Sequence, residues 1–348
     1  MLCALIMAGG SGQRFWPLST EETPKQLLKL FSNKSMIRET VDRIHMLIPA
    51  ERIFVATNIK QVAGIKKELP MIADENIIIE PSFKDTGAAI GYSSLYINHR
   101  YEDAELIVLA SDHLIRNEAD FQEILKIGTK EANENNTIVT LGVKPTRPET
   151  GYGYIETEVG CKVGYVYPVK RFWEKPNYER AEEYVSSGHY LWNSGMFIFN
   201  VSTIFDEIER YMPRHHDILK LIKVDVDMGL IGEELANAVA IPFENFQKMS
   251  IDFGVMERSD KIRVIPTNFG WNDIGAFTAL EEVFEPNENG TIVRMTDISE
   301  YDSKNNLVIG IDKHIALVGV KDLVIVQTDK HLLVCSKDHV QDIKRILN

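Results

Sequence analysis

Leu2–Ala8 is an unbroken apolar run that ends in glycines, the pattern of a strand buried on both faces. Ser35–Leu47 follows with Met36, Ile37, Val41, Ile44 and Leu47 on one stripe, which predicts an amphipathic helix. Short β-branched runs predict strands at Arg52–Thr57, Asn76–Glu80 and Glu105–Ala110. Helical stretches are expected between them, at about 59–69 and 86–99, and after them at about 118–135. Strands alternating with helices predict an α/β fold with a mainly parallel sheet covered on both faces. Ligands bind such sheets at the carboxyl ends of the strands, where this chain carries its polar motifs.

The alternation loosens beyond residue 136. Thr137–Val143 and Val166–Phe172 read as strands, and Gly151–Glu156 as a turn leading into one. Tyr178–Ser187 reads as a helix, Met196–Asn200 as a strand, and 201–240 as helices. The stretch 285–306 is rich in Asn, Glu, Asp and Ser and reads as a boundary. Four short apolar runs follow (LVIGI, IALVGV, LVIVQT, HLLVCS), separated by polar turns, and then a short helix to Leu347. The expected division is a large domain at 1–285 and a β-repeat unit at 286–348. The second is too small for a full core and must stack on the first domain or on a second subunit.

Composition narrows the function classes. With 44% hydrophobic and 26% charged residues over 348 positions, disordered, collagenous and disulfide-scaffold classes are excluded. The 38 Lys+Arg against 51 Asp+Glu give a net charge of −13 and there is no basic stripe, which argues against nucleic acid and anionic membrane as partners. Cys3, Cys161 and Cys335 form no CxxC pair, and no run reaches transmembrane length. The first apolar run lacks the basic flank of a signal peptide, so a soluble, cytoplasmic protein is expected. An acidic chain with an anionic substrate would need its positive charge gathered locally.

The turn after the first strand reads Gly9-Gly10-Ser11-Gly12-Gln13-Arg14. Three glycines in four positions allow close backbone approach and a nest of N–H groups for phosphate. The Rossmann fingerprint fails because Phe15 stands where its third glycine belongs, and no Gly-Lys-Ser/Thr of a P-loop exists. By itself the loop reads more often as an ordinary turn than as a phosphate site. Arg14 and Lys25 are two cations able to serve one polyphosphate. Asp112 ends an apolar strand and could be a metal ligand or a cap, and Asp273 could be a ligand or a solvated turn residue. His113 reads as a strand-end residue, His215-His216 as a helix-surface pair, and Trp16, Trp173 and Trp271 as packing behind loops.

Taken together, GGSGQRFWPLS followed by PKQLL resembles the signature of the sugar-1-phosphate nucleotidyltransferases. Other segments resemble that family's motifs in order: Glu80-Pro81 with Lys84-Asp85-Thr86, Ala110-Ser111-Asp112-His113, PETGYGYI at 148–155 and FWEKP at 172–176. They continue with WNSGMF at 192–197, SIDFGVME at 250–257 and WNDIG at 271–275. The RFWPLS variant resembles the mannose-1-phosphate guanylyltransferase branch. Asp85 stands where the family usually has Asn, and Gly87-Ala88 replace Ala-Pro.

The resemblance implies a Rossmann-like nucleotidyltransferase domain, followed by a left-handed β-helix-like tail that helps form a homodimer. It implies GTP and mannose 1-phosphate as substrates and Mg²⁺ held by Asp112 and Asp273. Ala8, Gly9, Gly10, Gly12, Arg14, Lys25, Glu80, Asp85, Thr86 and Ser111 would then surround the nucleotide. Gly153, Tyr154, Glu174, Lys175, Asn193 and Asp252 would surround the sugar phosphate, and Arg14, Lys25, Asp112 and Asp273 would be catalytic. No fused isomerase domain is expected. Two alternatives stay open: the same chemistry with another base or hexose, and a silent nucleotide-sensing subunit.

Overall fold

The apolar run at the N-terminus forms β1 (Leu2–Met7) near the middle of a sheet that has ten strands among the described residues. The computed structural model describes residues 1–10, 12–158 and 160–347, and divides into two units. The first comprises Met1–Gly9, Arg38–Ser111 and Ile115–Trp271; the second comprises Gly10–Ile37, Asp112–Leu114 and everything from Asn272 on. No helix among the described residues is long and apolar enough to cross a membrane.

The strands after β1 are β2 (Ile53–Asn58), β3 (Ile77–Glu80), β4 (Glu105–Ala110), β5 (Leu114–Ile115) and β6 (Ile138–Val143). They continue as β7 (Tyr154–Glu156), β8 (Tyr167–Pro168), β9 (Arg171–Trp173), β10 (Tyr190–Asn200), β11 (Ile262–Thr267) and β12 (Trp271–Asn272). The helices are α1 (Met36–His45), α2 (Val62–Glu68), α3 (Asp85–Arg100), α4 (Glu118–Asn135) and α5 (Tyr178–Ser187). Then come α6 (Val201–Tyr211), α7 (Pro213–Asp227), α8 (Gly232–Ala238) and α9 (Ala240–Glu244).

In the first unit the sheet runs β3-β2-β1-β4-β10-β6-β11-β8, with β7 and β9 paired beside β10. The first four strands are parallel, and β10 enters antiparallel between β4 and β6, so the sheet is mixed. The register aligns Met7 with Ala56 and Ala110, and Asn58 with Glu80. Ala8-Gly9, Glu80 and Ser111 therefore leave the sheet at one carboxyl edge. Strand order reverses at β1, and the crevice beside such a reversal is the usual ligand site of an open α/β sheet. Every residue of α3 from Gly87 to Ile97 is buried, which makes it the central helix of this unit's core.

Four sequence expectations need correction. The strand expected at Met196–Asn200 begins at Tyr190, so WNSGMF lies within β10. Its pairing with β6 shifts between Asn193 and Phe197, around Gly195 at φ 70°, and this bulge hides the strand's alternation. Val166–Phe172 splits into β8 and β9, separated where Val169 donates to Ile262 O at 3.4 Å and Lys170 to Glu156 O at 2.9 Å. His215 is buried rather than on a surface, its Nε2 within 3.0 Å of Gln247 O. The polar stretch 285–306 contains two strands of the tail.

Those two, β13 (Ile292–Arg294) and β14 (Ile298–Tyr301), start a β-helix-like unit with β15 (Leu307–Ile309), β16 (Ile315–Val318), β17 (Leu323–Gln327) and β18 (Leu332–Ser336). Successive coils stack parallel: Ile292 faces Leu307, which faces Val324, while Ile298 faces Ile315. β18 closes the stack antiparallel to β17. Inside, the buried Asn306 side chain donates to Val320 O at 3.3 Å and accepts from Leu323 N at 3.0 Å, which satisfies the turn between coils. The apolar side packs with Phe15, Leu28, Leu30, Met36, Ile274 and Phe277 in one core. The tail is thus stacked on the segment that follows the glycine turn.

Phe277 is fully buried, with its ring centroid 4.8 Å from that of Phe15. Phe277→Ala should lower unfolding free energy by about 3–5 kcal/mol. A loss under about 1 kcal/mol in denaturant titration would contradict this packing.

Candidate active site

The glycine turn is shaped by the segment packed against it. Gly12 has φ 62°, and a Cβ there would lie 2.5 Å from Lys25 Cβ and 2.8 Å from Lys25 N. Only glycine supplies both the left-handed backbone and the clearance. Ser19 Oγ donates to Gly12 O at 2.6 Å, and Gln26 Nε2 donates to Gly10 O at 3.2 Å. Ser11 lies outside the described residues.

Lys25 is 6% exposed. Its ammonium pairs with Asp112 Oδ2 at 2.9 Å and donates to the main-chain oxygen of Asp273 at 2.7 Å. Burial alone would raise the Asp112 carboxyl, but the charges of Lys25 and His113 and its hydrogen bonds prevail and hold it below its ordinary value. Asp273 sits in a tight turn. Its Oδ1 accepts from Gly275 N at 3.1 Å, Asn272 Oδ1 accepts from Ile274 N at 2.8 Å, and the buried Ile274 is held at φ 47°. A β-branched residue in that region is strained, so the surrounding core must fix the turn.

These residues line one cavity of about 340 Å³, bounded by Gly12, Gln13, Arg14, Phe15, Lys25, Asp112, His113, Asp273, Gly275 and Lys344. The four residues expected to be catalytic, Arg14, Lys25, Asp112 and Asp273, are therefore together. Among the described residues no cluster of three or more His, Cys, Asp and Glu could hold a metal. Two carboxylates on one cavity nevertheless suit Mg²⁺, which takes one or two carboxylates and completes its shell with water and substrate phosphates.

The first unit gathers a second set. Glu174 and Lys175 form an ion pair of 2.5 Å, and Lys175 is held at φ 49° with its N–H donating to Tyr152 O at 3.2 Å. Burial lowers the Lys175 ammonium, but Glu174, Asp252 and Asp85 outweigh it and raise it overall. Asn193 accepts from Thr140 Oγ1 at 2.9 Å and donates to Asp252 Oδ1 at 3.0 Å, which fixes its amide. A Cβ on Gly153 would meet Glu174 Oε2 at 2.6 Å, so that glycine makes room for the carboxylate. Burial, then the Glu174 charge, push Asp252 up to about 7 despite Lys175 and Asn193.

Other expected residues serve the scaffold as well. The buried Tyr154 accepts from Glu149 N at 2.9 Å through its hydroxyl. Thr86 Oγ1 accepts from Ile251 N at 2.9 Å, next to Asp252, and Asp85 sits at φ 70° with Oδ1 accepting from Thr86 N at 2.8 Å. Ala8 is pinned by its N–H to Ala56 O at 2.8 Å, and Ser111 by its N–H to Met7 O at 3.2 Å. Glu80 is 7% exposed, and a Cβ on Gly9 would come within 3.3 Å of its Oε1. Burial, with Asp85 adding, pushes the Glu80 carboxyl up to about 8.

A family model described as nucleotidyl transferase matches residues 3–290, and one described as the MannoseP isomerase/GMP-like beta-helix domain matches 300–348. The chain belongs to the nucleotidyl transferase family. A mannose-1-phosphate guanylyltransferase of Klebsiella pneumoniae is 36% identical over 99% of this chain and 73% of its own length. Mannose-1-phosphate guanylyltransferase 2 of Escherichia coli O157:H7 has the same identity and coverage. The crystal structure of a Thermus thermophilus protein, described as mannose-1-phosphate geranyltransferase, superposes with a TM-score of 0.88 at 32% identity, over 99% of this chain and 98% of that one. The family likeness read from the motifs and the expected two-part fold are both borne out. Nucleotidyl transferases of this family generally use a divalent metal.

Sequence reasoning missed some cavity residues. Gln13 and Gly275 stand inside quoted motifs and could have been named from them. Lys344, near the end of an unremarkable basic helix, gave no signal at all.

The raised Glu80 carboxyl carries a stability signature. Between its ordinary value of 4.5 and about 8 the folded chain holds a proton that the unfolded chain has released, so stability falls as pH rises through that window. Glu80→Gln should remove that slope, at most about 1.4 kcal/mol per pH unit, and leave the variant relatively more stable at pH 8 than at pH 5. Parallel pH slopes for variant and wild type in denaturant titrations would refute it.

Proposed function

We propose that the chain transfers GMP from GTP to mannose 1-phosphate, yielding GDP-mannose and pyrophosphate. The observation that carries this reading is the cavity where Arg14 and Lys25 meet Asp112 and Asp273. Two cations, a glycine turn and two carboxylates suit a triphosphate with its divalent ion. Relatives named mannose-1-phosphate guanylyltransferase, alike over nearly the whole chain, support the choice of base and sugar. The family matches likewise support 1–285 as the catalytic stretch and 286–348 as the β-repeat.

The chemistry asks for positioning and charge stabilisation rather than an activated side chain. A sugar phosphate is largely dianionic near neutrality, by analogy with phosphorylated side chains whose second pKa is about 6, so no general base is needed. Its oxygen attacks the α-phosphorus in line; a new P–O bond forms as the bond to the β-phosphate oxygen breaks, and pyrophosphate carries that electron pair away. The turn from Gly9 to Gly12, with Arg14 and Lys25, holds the triphosphate. Ala8, Glu80, Asp85, Thr86 and Ser111, at or near the carboxyl edge of the sheet, line the nucleoside. Asp112 and Asp273 would hold Mg²⁺, which neutralises charge at the α-phosphate when bound. Lys175 takes the sugar phosphate, while Glu174, Asn193 and Asp252 meet sugar hydroxyls beside the Gly153–Tyr154 backbone. We place the protein in the cytoplasm as a homodimer, and its net charge of −13 supports a reading without nucleic-acid or anionic-membrane partners.

Pyrophosphate release should be fastest for GTP with mannose 1-phosphate when triphosphates are crossed with hexose 1-phosphates. A better pair would shift the assignment to another base or sugar, and no release from any pair would favour a silent sensor. Asp112→Ala and Asp273→Ala should each lower kcat about a hundredfold or more at saturating Mg²⁺. Lys175→Ala should raise KM for mannose 1-phosphate about tenfold and leave KM for GTP within about twofold. An effect on GTP alone would contradict its role.

A further inference from the structure

The helix that ends the chain, Lys337–Ile346, reaches the cavity through one side chain. It packs on the turn Gln13–Phe15 and is anchored by Val340 and Ile343, which are 4% and 3% exposed in the core that also holds Phe15. Lys344 follows Ile343 directly, so the anchor fixes where it emerges. Its side chain lines the same cavity as Arg14, Lys25, Asp112 and Asp273.

Charge accounting gives that position a use. Lys25 is committed to the Asp112 carboxylate at 2.9 Å and to Asp273 O at 2.7 Å, so much of its charge organises the aspartates. A triphosphate brings about four negative charges, concentrated at the β- and γ-phosphates, and each favours a charge-assisted partner. Arg14 stands on the turn against which the terminal helix packs, and both Arg14 and Lys344 line the cavity.

We propose that Lys344 is a third cation of the triphosphate site, binding with Arg14 the β- and γ-phosphates that leave as pyrophosphate. The tail then supplies a binding residue for the reaction, beyond any part in assembly. This rests on the GTP-dependent reading above, but binding of pyrophosphate can be measured without turnover.

Lys344→Ala should lower kcat/KM for GTP about tenfold and raise the pyrophosphate KM of the reverse reaction by a similar factor. KM for mannose 1-phosphate and the affinity for GDP-mannose, which lacks the outer phosphates, should stay within about twofold. Lys344→Arg should recover most of the loss and Lys344→Glu deepen it, with thermal melting unchanged in all three. Calorimetric binding of magnesium pyrophosphate to wild type and Lys344→Ala gives the same comparison at equilibrium, with about tenfold weaker binding expected. Unchanged GTP and pyrophosphate constants would overturn the proposal, as would an equal loss of GDP-mannose affinity. Wild-type chain that binds pyrophosphate through Lys344 yet turns over no substrate pair would instead overturn the functional reading.

Discussion

A buried ammonium group must be compensated on the spot, and much of the geometry of the cavity follows from how Lys25 meets that demand. At 6% exposure it takes the Asp112 carboxylate and the Asp273 carbonyl oxygen, which draws together segments far apart in the sequence. Its backbone passes so close to Gly12 that no side chain fits there, and this fixes the glycine turn. The Asp273 turn must in turn accept Ile274 at φ 47° with its side chain fully buried. Ile274 and Phe277 lie in the core of the β-helix-like tail, so the packing of the tail stabilises the strained turn that presents Asp273. Stability of the tail and geometry of the site are one problem in this protein.

Much of the fold was legible because buried parallel strands leave continuous apolar runs. Leu2–Met7, Ile53–Asn58 and Glu105–Ala110 announce themselves in this way. What escaped notice has physical causes. β10 carries Asn193 and Ser194 inside the core, where Thr140 and Asp252 satisfy the Asn193 amide, and such polar residues disguise a strand as a turn. The first coils of the tail bury few residues each, Ile292 in β13 and partly Ile298 in β14, so a polar composition conceals them. His215 looked like half of a surface pair, yet its ring packs 5.1 Å from that of Phe246.

The site divides along the same line. Arg14, Lys25, Asp112 and Asp273 could be named because family motifs mark them, and geometry then explains their company. Lys344 belongs to no motif; a lysine next to an amphipathic anchor resembles any solvated lysine until its helix is seated. Thr86, expected beside the nucleotide, also accepts from Ile251 N through its hydroxyl oxygen, and so secures the segment that bears Asp252.

The net charge of −13 concealed two local balances of opposite sign. The cavity of the second unit sets Arg14, Lys25 and Lys344 against two carboxylates, a surplus suited to phosphate. The first unit couples Glu174, Asp252 and Asp85 to the Lys175 ammonium. That surplus of acceptors around one ammonium suits a ligand with several hydroxyl groups, which donate to carboxylates. Crowding has a further effect: burial and the Glu174 charge push the Asp252 carboxyl up to about 7, which brings its protonated form, able to donate as well as accept, closer to neutrality than for an ordinary carboxyl. A sugar hydroxyl presents both a proton and lone pairs. A carboxyl poised between its two forms can answer either one, whereas one held at the ordinary value answers only the proton.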